Sequence, residues 1–458
     1  MQKNIVKKAI EAPAEALQLG IEGGQRLAKT IPLTGQGSFK KAQDYWYLLG
    51  PGLTTGASDD DPSGIATYSQ TGAQYGFGLL WLSAFTFPLM AVTQEMCARI
   101  GLVTGRGLAG NIRAHFGKKV LYFSTLMLFA ANTFNIGADI GAMASAVQLI
   151  KPSFNFTLLV VGLTLSILML QIFTPYVKYA RYLKWLALVL LAYILSAILA
   201  HPNWNVVMQH SIIPHITFSK DQLLLICAIL GTTITPYLFF WQSSQEIEEE
   251  IAVGQTTIKL RMGSTPAEMK KMRIDVWSGM FLSNLVMFFI IAACGTELYT
   301  HGITNISTAA QAAQALRPFA GNAAYFLFAV GIIGVGLLAI PIMAASSAYA
   351  ISESFGGRRQ GLNNKLKQGY AFYGVIIISM LVGLGLNFIG LNPIKALIYS
   401  AVLNGIVAPI ILVLILLIAR NKHIMGEWKN GKVSAGLGWF LTTMMTVAGI
   451  AAIYSLFP

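Results

Sequence analysis

Three consecutive aspartates, Asp59, Asp60 and Asp61, stand immediately before Pro62, in a stretch that opens with Gly50-Pro51-Gly52 and closes with Ser63-Gly64. Far along the chain, Gly231-Thr232-Thr233-Ile234-Thr235-Pro236-Tyr237 combines the same punctuation with hydroxyl side chains. Proline removes an amide donor and clashes with the carbonyl four residues back, while glycine admits unusual dihedrals, so each stretch breaks a helix and frees main-chain carbonyls. Carboxylate, hydroxyl and carbonyl oxygens form a hard donor set suited to Mg²⁺, Ca²⁺ or Mn²⁺; neither break supplies sulfur or imidazole. Neither holds a Lys or Arg to neutralise the acids, so the chemistry on offer is cation binding. Successive helical residues turn by about 100°, so the aspartates cannot all face one point. Asp61, next to the break, is best placed to hold the ion. Thr235 and the main-chain oxygens of Thr232 and Gly64 would contact the ion or its water. Asp59 and Asp60 line the approach or raise the negative potential there. Mg²⁺ sheds water reluctantly, and the small Ser63 and Gly64 leave room for a hydrated ion.

Such residues need a scaffold. The 458 residues are 55% hydrophobic and only 11% charged, with a mean hydropathy of +0.61, whereas a soluble domain carries roughly a quarter charged residues. A water-soluble enzyme of this size is excluded. The net charge of +13 reports loop sidedness rather than nucleic-acid binding in so apolar a chain. Cys97, Cys227 and Cys294 have neither metal-ligand spacing nor a disulfide framework and are expected to pack inside helices.

A helix needs about 20 apolar residues to cross a bilayer. Eleven stretches qualify: 47–70, 77–98, 119–149, 155–177, 182–200, 222–244, 275–294, 323–351, 370–391, 394–419 and 435–457. Of the 32 Lys and Arg residues, only Lys151, Lys220, Arg317 and Lys395 fall on one side of the resulting alternation. The lysine-rich side is cytoplasmic, which places the amino terminus inside and the carboxyl terminus outside a cell (inner) membrane. Residues 1–46 read as a cytoplasmic tail, 47–200 as a first five-helix repeat and 201–221 as an extracellular loop. Residues 222–419 read as a second repeat, and 420–458 as a cytoplasmic loop with the eleventh helix. The broken spans are the first and the sixth. Five spans separate their starts, an odd number, so the second group enters from the opposite face. Interrupted spans at equivalent places in inverted halves point to a transporter's midplane site.

On these residues the chain resembles the Nramp family of divalent-metal transporters, from about Gly50 to the tenth span. The Gly-Pro-Gly opening, the Asp-Pro break and the sixth-span Thr-Pro-Tyr followed by Ser243-Ser244 carry the likeness. The resemblance implies an all-α polytopic membrane protein with a LeuT-like inverted repeat of five plus five helices, helices 1 and 6 being broken at the midplane. Typical members carry Asp-Pro-Gly-Asn in the first helix and Met-Pro-His in the sixth. The Asp, the Asn, the Met sulfur and a main-chain carbonyl three residues before that Met bind the metal. Carried over, Asp61 keeps the carboxylate, Gly64 stands where the Asn is expected, Thr235 replaces the Met, and the carbonyl falls to Thr232. Losing the soft ligand and two large side chains resembles the Nramp-related magnesium transporter branch, in which the ion keeps much of its water. Proton-coupled members have a His after the sixth-helix Pro and an Asp and Glu three apart in the third helix. Here Tyr237 and Ala142 replace the His and the Glu while Asp139 remains, and the ninth span lacks an expected Arg, so proton coupling is not expected. Tyr237 and Asp139 are assigned to the ion path or the surroundings of the site.

The expectation is a secondary transporter importing Mg²⁺, and also Mn²⁺, by alternating access, with the cation and the lipid bilayer as its partners, no nucleic acid and no cofactor. Two alternatives stay open: a proton-coupled Mn²⁺/Fe²⁺ symporter, and an organic-solute carrier on the same fold. The oligomeric state is not legible. Gly105-Arg106-Gly107-Leu108-Ala109-Gly110 matches a dinucleotide fingerprint by letter but follows a membrane helix rather than a strand. Glu246-Ile247-Glu248-Glu249-Glu250 is expected to extend a helix into solvent.

Overall fold

The computed structural model describes residues 50–174, 191–355, 361–362 and 369–456. The tail expected over 1–46 and the first nine residues of the fifth span expected over 182–200 lie outside those residues. Contacts divide the chain after Gly50, and the description concerns Pro51 onward. Among the described residues every regular element is helical. In chain order they are α1 (Pro51–Asp59), α2 (Pro62–Tyr75), α3 (Trp81–Thr104), α4 (Leu108–His115), α5 (Lys118–Ile150), α6 (Phe156–Phe173), α7 (Leu191–Leu199), α8 (Trp204–Ile212), α9 (Lys220–Thr233) and α10 (Pro236–Ala252). There follow α11 (Ile258–Arg261), α12 (Pro266–Cys294), α13 (Ala309–Ala313), α14 (Arg317–Ala320), α15 (Ala324–Phe355), α16 (Tyr370–Leu386), α17 (Pro393–Arg420), α18 (Lys422–Met425) and α19 (Lys432–Leu456).

Burial separates two kinds of helix. On α6 the buried residues are Val160, Thr164, Ile167, Leu168 and Gln171, a single stripe at three- and four-residue spacing. Its other face exposes Leu158, Leu165, Met169 and Phe173, the surface a spanning helix offers to lipid. By contrast α2 is buried on all sides from Pro62 to Ala73 although Ser63, Thr67, Ser69, Gln70 and Thr71 are polar. Between helices in a bilayer there is no hydrophobic drive, so close packing of small residues and polar contacts must hold them. The chain supplies both. Gly52 and Gly56 of α1 meet Gly279 of α12 backbone to backbone, and Gly231 of α9 lies against Ala401 and Gly405 of α17; a Cβ at Gly56, Gly231 or Gly279 would fall inside van der Waals contact of main-chain atoms.

Seven of the eleven expected spans coincide with helical stretches long and apolar enough to cross a membrane. The remaining four depart for distinct reasons. The first is two short helices around the break. The second, α3, runs 24 residues but carries Glu95 and Arg99. The fifth is described only over α7, and the ninth, α16, has 17 residues. One expectation is corrected. Glu246, Glu248 and Glu250 do not extend into solvent but are buried. Glu246 accepts from Gln242 Nε2 at 2.9 Å, Glu248 accepts from the Tyr349 hydroxyl at 3.1 Å, and Glu250 faces Arg261 at 4.0 Å. Partners on α10, α15 and α11 stand in for part of the water these carboxylates would otherwise meet.

Candidate metal centre

Pro62 steers the residue before it to extended backbone, and Asp61 sits there at φ −63°, ψ 171° as the N-cap of α2. Its Oδ1 accepts from the Gly64 amide at 2.8 Å and the Ser63 hydroxyl at 2.6 Å. Its Oδ2 accepts from Asn135 Nδ2 on α5 at 2.8 Å. The positive end of the α2 dipole adds to this support. No basic side chain is seen on Asp61: the ion pairs of the described residues join Glu95 to Arg99 and Arg273, and Glu250 to Arg261.

The neighbouring acids point elsewhere, as helical rotation requires. Ser283 Oγ of α12 lies 2.7 Å from Asp59 Oδ2 and 3.3 Å from Asp60 Oδ1. A hydroxyl carries one proton, so the shorter contact is the bond. Asp59 Oδ1 is buried without a partner. Among the described residues no three His, Cys, Asp or Glu side chains converge on one point. An ion at Asp61 would therefore meet at most two such side chains and otherwise neutral oxygens.

The second break is built differently. α9 ends at Thr233 and α10 begins at Pro236, with Thr235 extended at φ −92°, ψ 137° in the N-cap position. Its hydroxyl caps nothing, and Oγ1 is buried with no partner. The Tyr237 hydroxyl donates to the Ser58 carbonyl at 2.7 Å, so the end of α1 is fastened to the start of α10. The place a Gly64 Cβ would occupy lies 3.1 Å from Thr232 Oγ1 and 3.3 Å from the Asp59 carbonyl, so the start of α2 meets the end of α9. The breaks are thus paired crosswise, and the carbonyl ends of α1 and α9, negative by their dipoles, converge on the region.

The room expected around Gly64 is taken up by its neighbours: Thr232 and the Tyr68 ring close on it. Asp61, Thr232 and Thr235 are each no more than 2% exposed. Asp139, one turn beyond Asn135 on α5, is fully buried, and no donor meets either carboxylate oxygen in full hydrogen-bond geometry.

Several residues of this neighbourhood escaped the sequence reading. Asn135 and Ser283 bind the aspartates. Asp275 of α12 accepts the Gly52 amide at 2.6 Å and the Leu53 amide at 3.2 Å, capping the start of α1. Gln242 of α10 accepts from the Thr55 hydroxyl at 2.6 Å. Each is a polar residue within or at the end of an apolar stretch, and that is the signal that could have found them. The discounted glycine motif has an occupant of its own: Glu353, at the end of α15, accepts the Gly110 amide at 2.9 Å and packs against Gly107. Ser243 of α10 accepts the Leu108 amide at 3.1 Å.

Residues 52–455 match the family model described as natural resistance-associated macrophage protein-like, Nramp. The divalent metal cation transporter MntH of Klebsiella pneumoniae is 25% identical over 402 residues, covering 87% of this chain and 91% of that protein. The protein of the same name from Chromohalobacter salexigens is 24% identical over 416 residues, covering 90% and 91%. In fold, the Eremococcus coleocola manganese transporter, solved with an aromatic bis-isothiourea substituted compound, superposes with a TM-score of 0.66 at 19% identity, covering 93% of this chain and 90% of that one.

Proposed function

The chain belongs to the Nramp family, a family of transporters rather than enzymes, and on that premise we propose that it imports a hydrated divalent cation, Mg²⁺ and also Mn²⁺, by alternating access and without proton coupling. The observation that carries the reading is the pairing of Asp61, a buried carboxylate with no basic partner seen, with Thr235, a buried hydroxyl bonded to nothing. Asp61 supplies the charge. Thr235 and the Thr232 and Gly64 main-chain oxygens contact the ion or its water. Asp59, Asp60, Asp139 and Tyr237 line the path or frame the site. Neither break offers a thioether, which suits a hard, watery ion. Eleven spans in two inverted sets of five plus one, with the amino terminus cytoplasmic in an inner membrane, complete the arrangement. A membrane potential favours inward movement by about 2.3 kcal/mol per charge per 100 mV.

The test is flux into liposomes with Mg²⁺, Mn²⁺ and Ca²⁺ and an internal pH dye. Mg²⁺ uptake without acidification, lost in Asp61→Ala, is the expected result. Undiminished uptake by Asp61→Ala overturns the site. A second reading is a proton-coupled Mn²⁺/Fe²⁺ symporter: manganese is the metal named for the structurally similar Eremococcus coleocola transporter, and metal-driven acidification would establish the coupling.

A further inference from the structure

The thioether that both breaks lack is nevertheless close by, on α15. Met343 is fully buried, and its sulfur lies 3.0 Å from Asn135 Nδ2, the same nitrogen that donates to Asp61 Oδ2 at 2.8 Å. The amide is therefore oriented by chemistry: its two neighbours, a carboxylate oxygen and a thioether, are both acceptors, so the NH₂ group faces them. Each of its two hydrogens is spent on one acceptor. The amide oxygen is left buried and without a partner. One turn earlier on α5, Asn132 Nδ2 donates its two hydrogens to the Ser346 and Ser347 hydroxyls at 2.9 Å each, and the Ser346 hydroxyl in turn donates to the Met343 carbonyl at 2.9 Å. The sulfur is thus held in position by its main chain as well as by Asn135.

We propose that Asn135 is a specificity-determining residue: its N–H group masks the Met343 sulfur from the ion, and its free oxygen is offered to the ion's water in place of the asparagine oxygen missing at Gly64. Soft thioether sulfur selects softer metals, whereas amide oxygen accepts the hydrated, harder ions. With Asn135 present, the Asp61 carboxylate has an amide rather than a sulfur as its nearest neighbour on this side. Removing the amide uncovers the sulfur one amide's length from the carboxylate.

The inference rests on Asp61 being the ion-binding carboxylate, and the experiment separates the two. Uptake of Mg²⁺, Mn²⁺ and Cd²⁺ is measured in liposomes for the unaltered protein, Asn135→Ala, Asn135→Ser, Met343→Leu, the double variant Asn135→Ala with Met343→Leu, and Asp61→Ala. The expected result is that Asn135→Ala raises the KM for Mg²⁺ and shifts preference toward Cd²⁺ over Mg²⁺ by about tenfold or more. Adding Met343→Leu abolishes that shift, because the gain belongs to the sulfur. A purely structural Asn135 would lower rate or yield without a sulfur-dependent change in preference. Asn135→Ser, with a shorter donor, covers the case in which the alanine variant does not fold, and the same shift is expected of it. If the Cd²⁺-to-Mg²⁺ ratio is unmoved, or moves equally with Met343→Leu present, the inference is overturned while loss of uptake in Asp61→Ala leaves the transport reading standing. Persistent uptake in Asp61→Ala overturns both.

Discussion

At the Asp61 break both carboxylate oxygens are engaged, by the Gly64 amide, the Ser63 hydroxyl and the Asn135 amide. At the Thr235 break the side-chain oxygen in the same capping position is buried and idle. A buried, unsatisfied polar group costs about 1–3 kcal/mol, so the Asp61 carboxylate is satisfied as it stands while the Thr235 hydroxyl carries an unmet need that, on the transport reading, an ion or its water would fill. On the proposed reading the two halves of the site would divide the work, one presenting a charge held ready and the other gaining a partner on loading.

The strongest way to break this comparison is Asp61→Ala. It strands three donors, removes a helix cap valued at about 0.5–2 kcal/mol, and is expected to lower Mg²⁺ uptake in liposomes below detection along with the melting temperature. Next come two glycines that look alike in sequence. Gly231→Ala pushes a Cβ into the main chain of α17, and overpacking of this kind costs about 1–3 kcal/mol. Gly64→Ala meets first a Thr232 hydroxyl at 3.1 Å, which can turn aside, so thermal melts should show a clearly smaller loss. Equal losses would mean that the breaks are packed alike. Tyr237→Phe removes the fastening to Ser58 at a cost of about 1 kcal/mol; it should slow transport more than it changes the KM for Mg²⁺. The smallest effect on stability is expected of Thr235→Val, which deletes a hydroxyl that bonds nothing. Its melting temperature should hold or rise while the KM for Mg²⁺ increases. A clear drop in melting temperature would show that the hydroxyl already has a partner.

The breaks themselves were legible because Pro62, Pro236 and the flanking glycines act on the backbone next to them, whatever the tertiary setting. Seven spans were legible because a bilayer demands length and apolarity of a single segment. The cross-fastening was not. Tyr237 reaching Ser58, Ser283 reaching Asp59 and Asn135 reaching Asp61 join residues 179, 224 and 74 positions apart, and no local pattern carries such distances. The space at Gly64 was misjudged for a related reason. A missing side chain reads as room in a sequence, but in a packed bundle a glycine lets the next helix come closer. The acidic run at Glu246–Glu250 reads as solvated, since local composition does not reveal Tyr349 or Arg261.

Glu353 seated on the Gly110 amide in the first turn of α4 has a consequence for how this corner of the protein behaves in different surroundings. Helix starts of this kind ordinarily collect phosphate or another anion from solution, and such a guest comes and goes with ionic strength. Here the counter-charge is covalently part of the chain. The Gly110 amide thus has a carboxylate from within the chain where an anion from solution would otherwise bind.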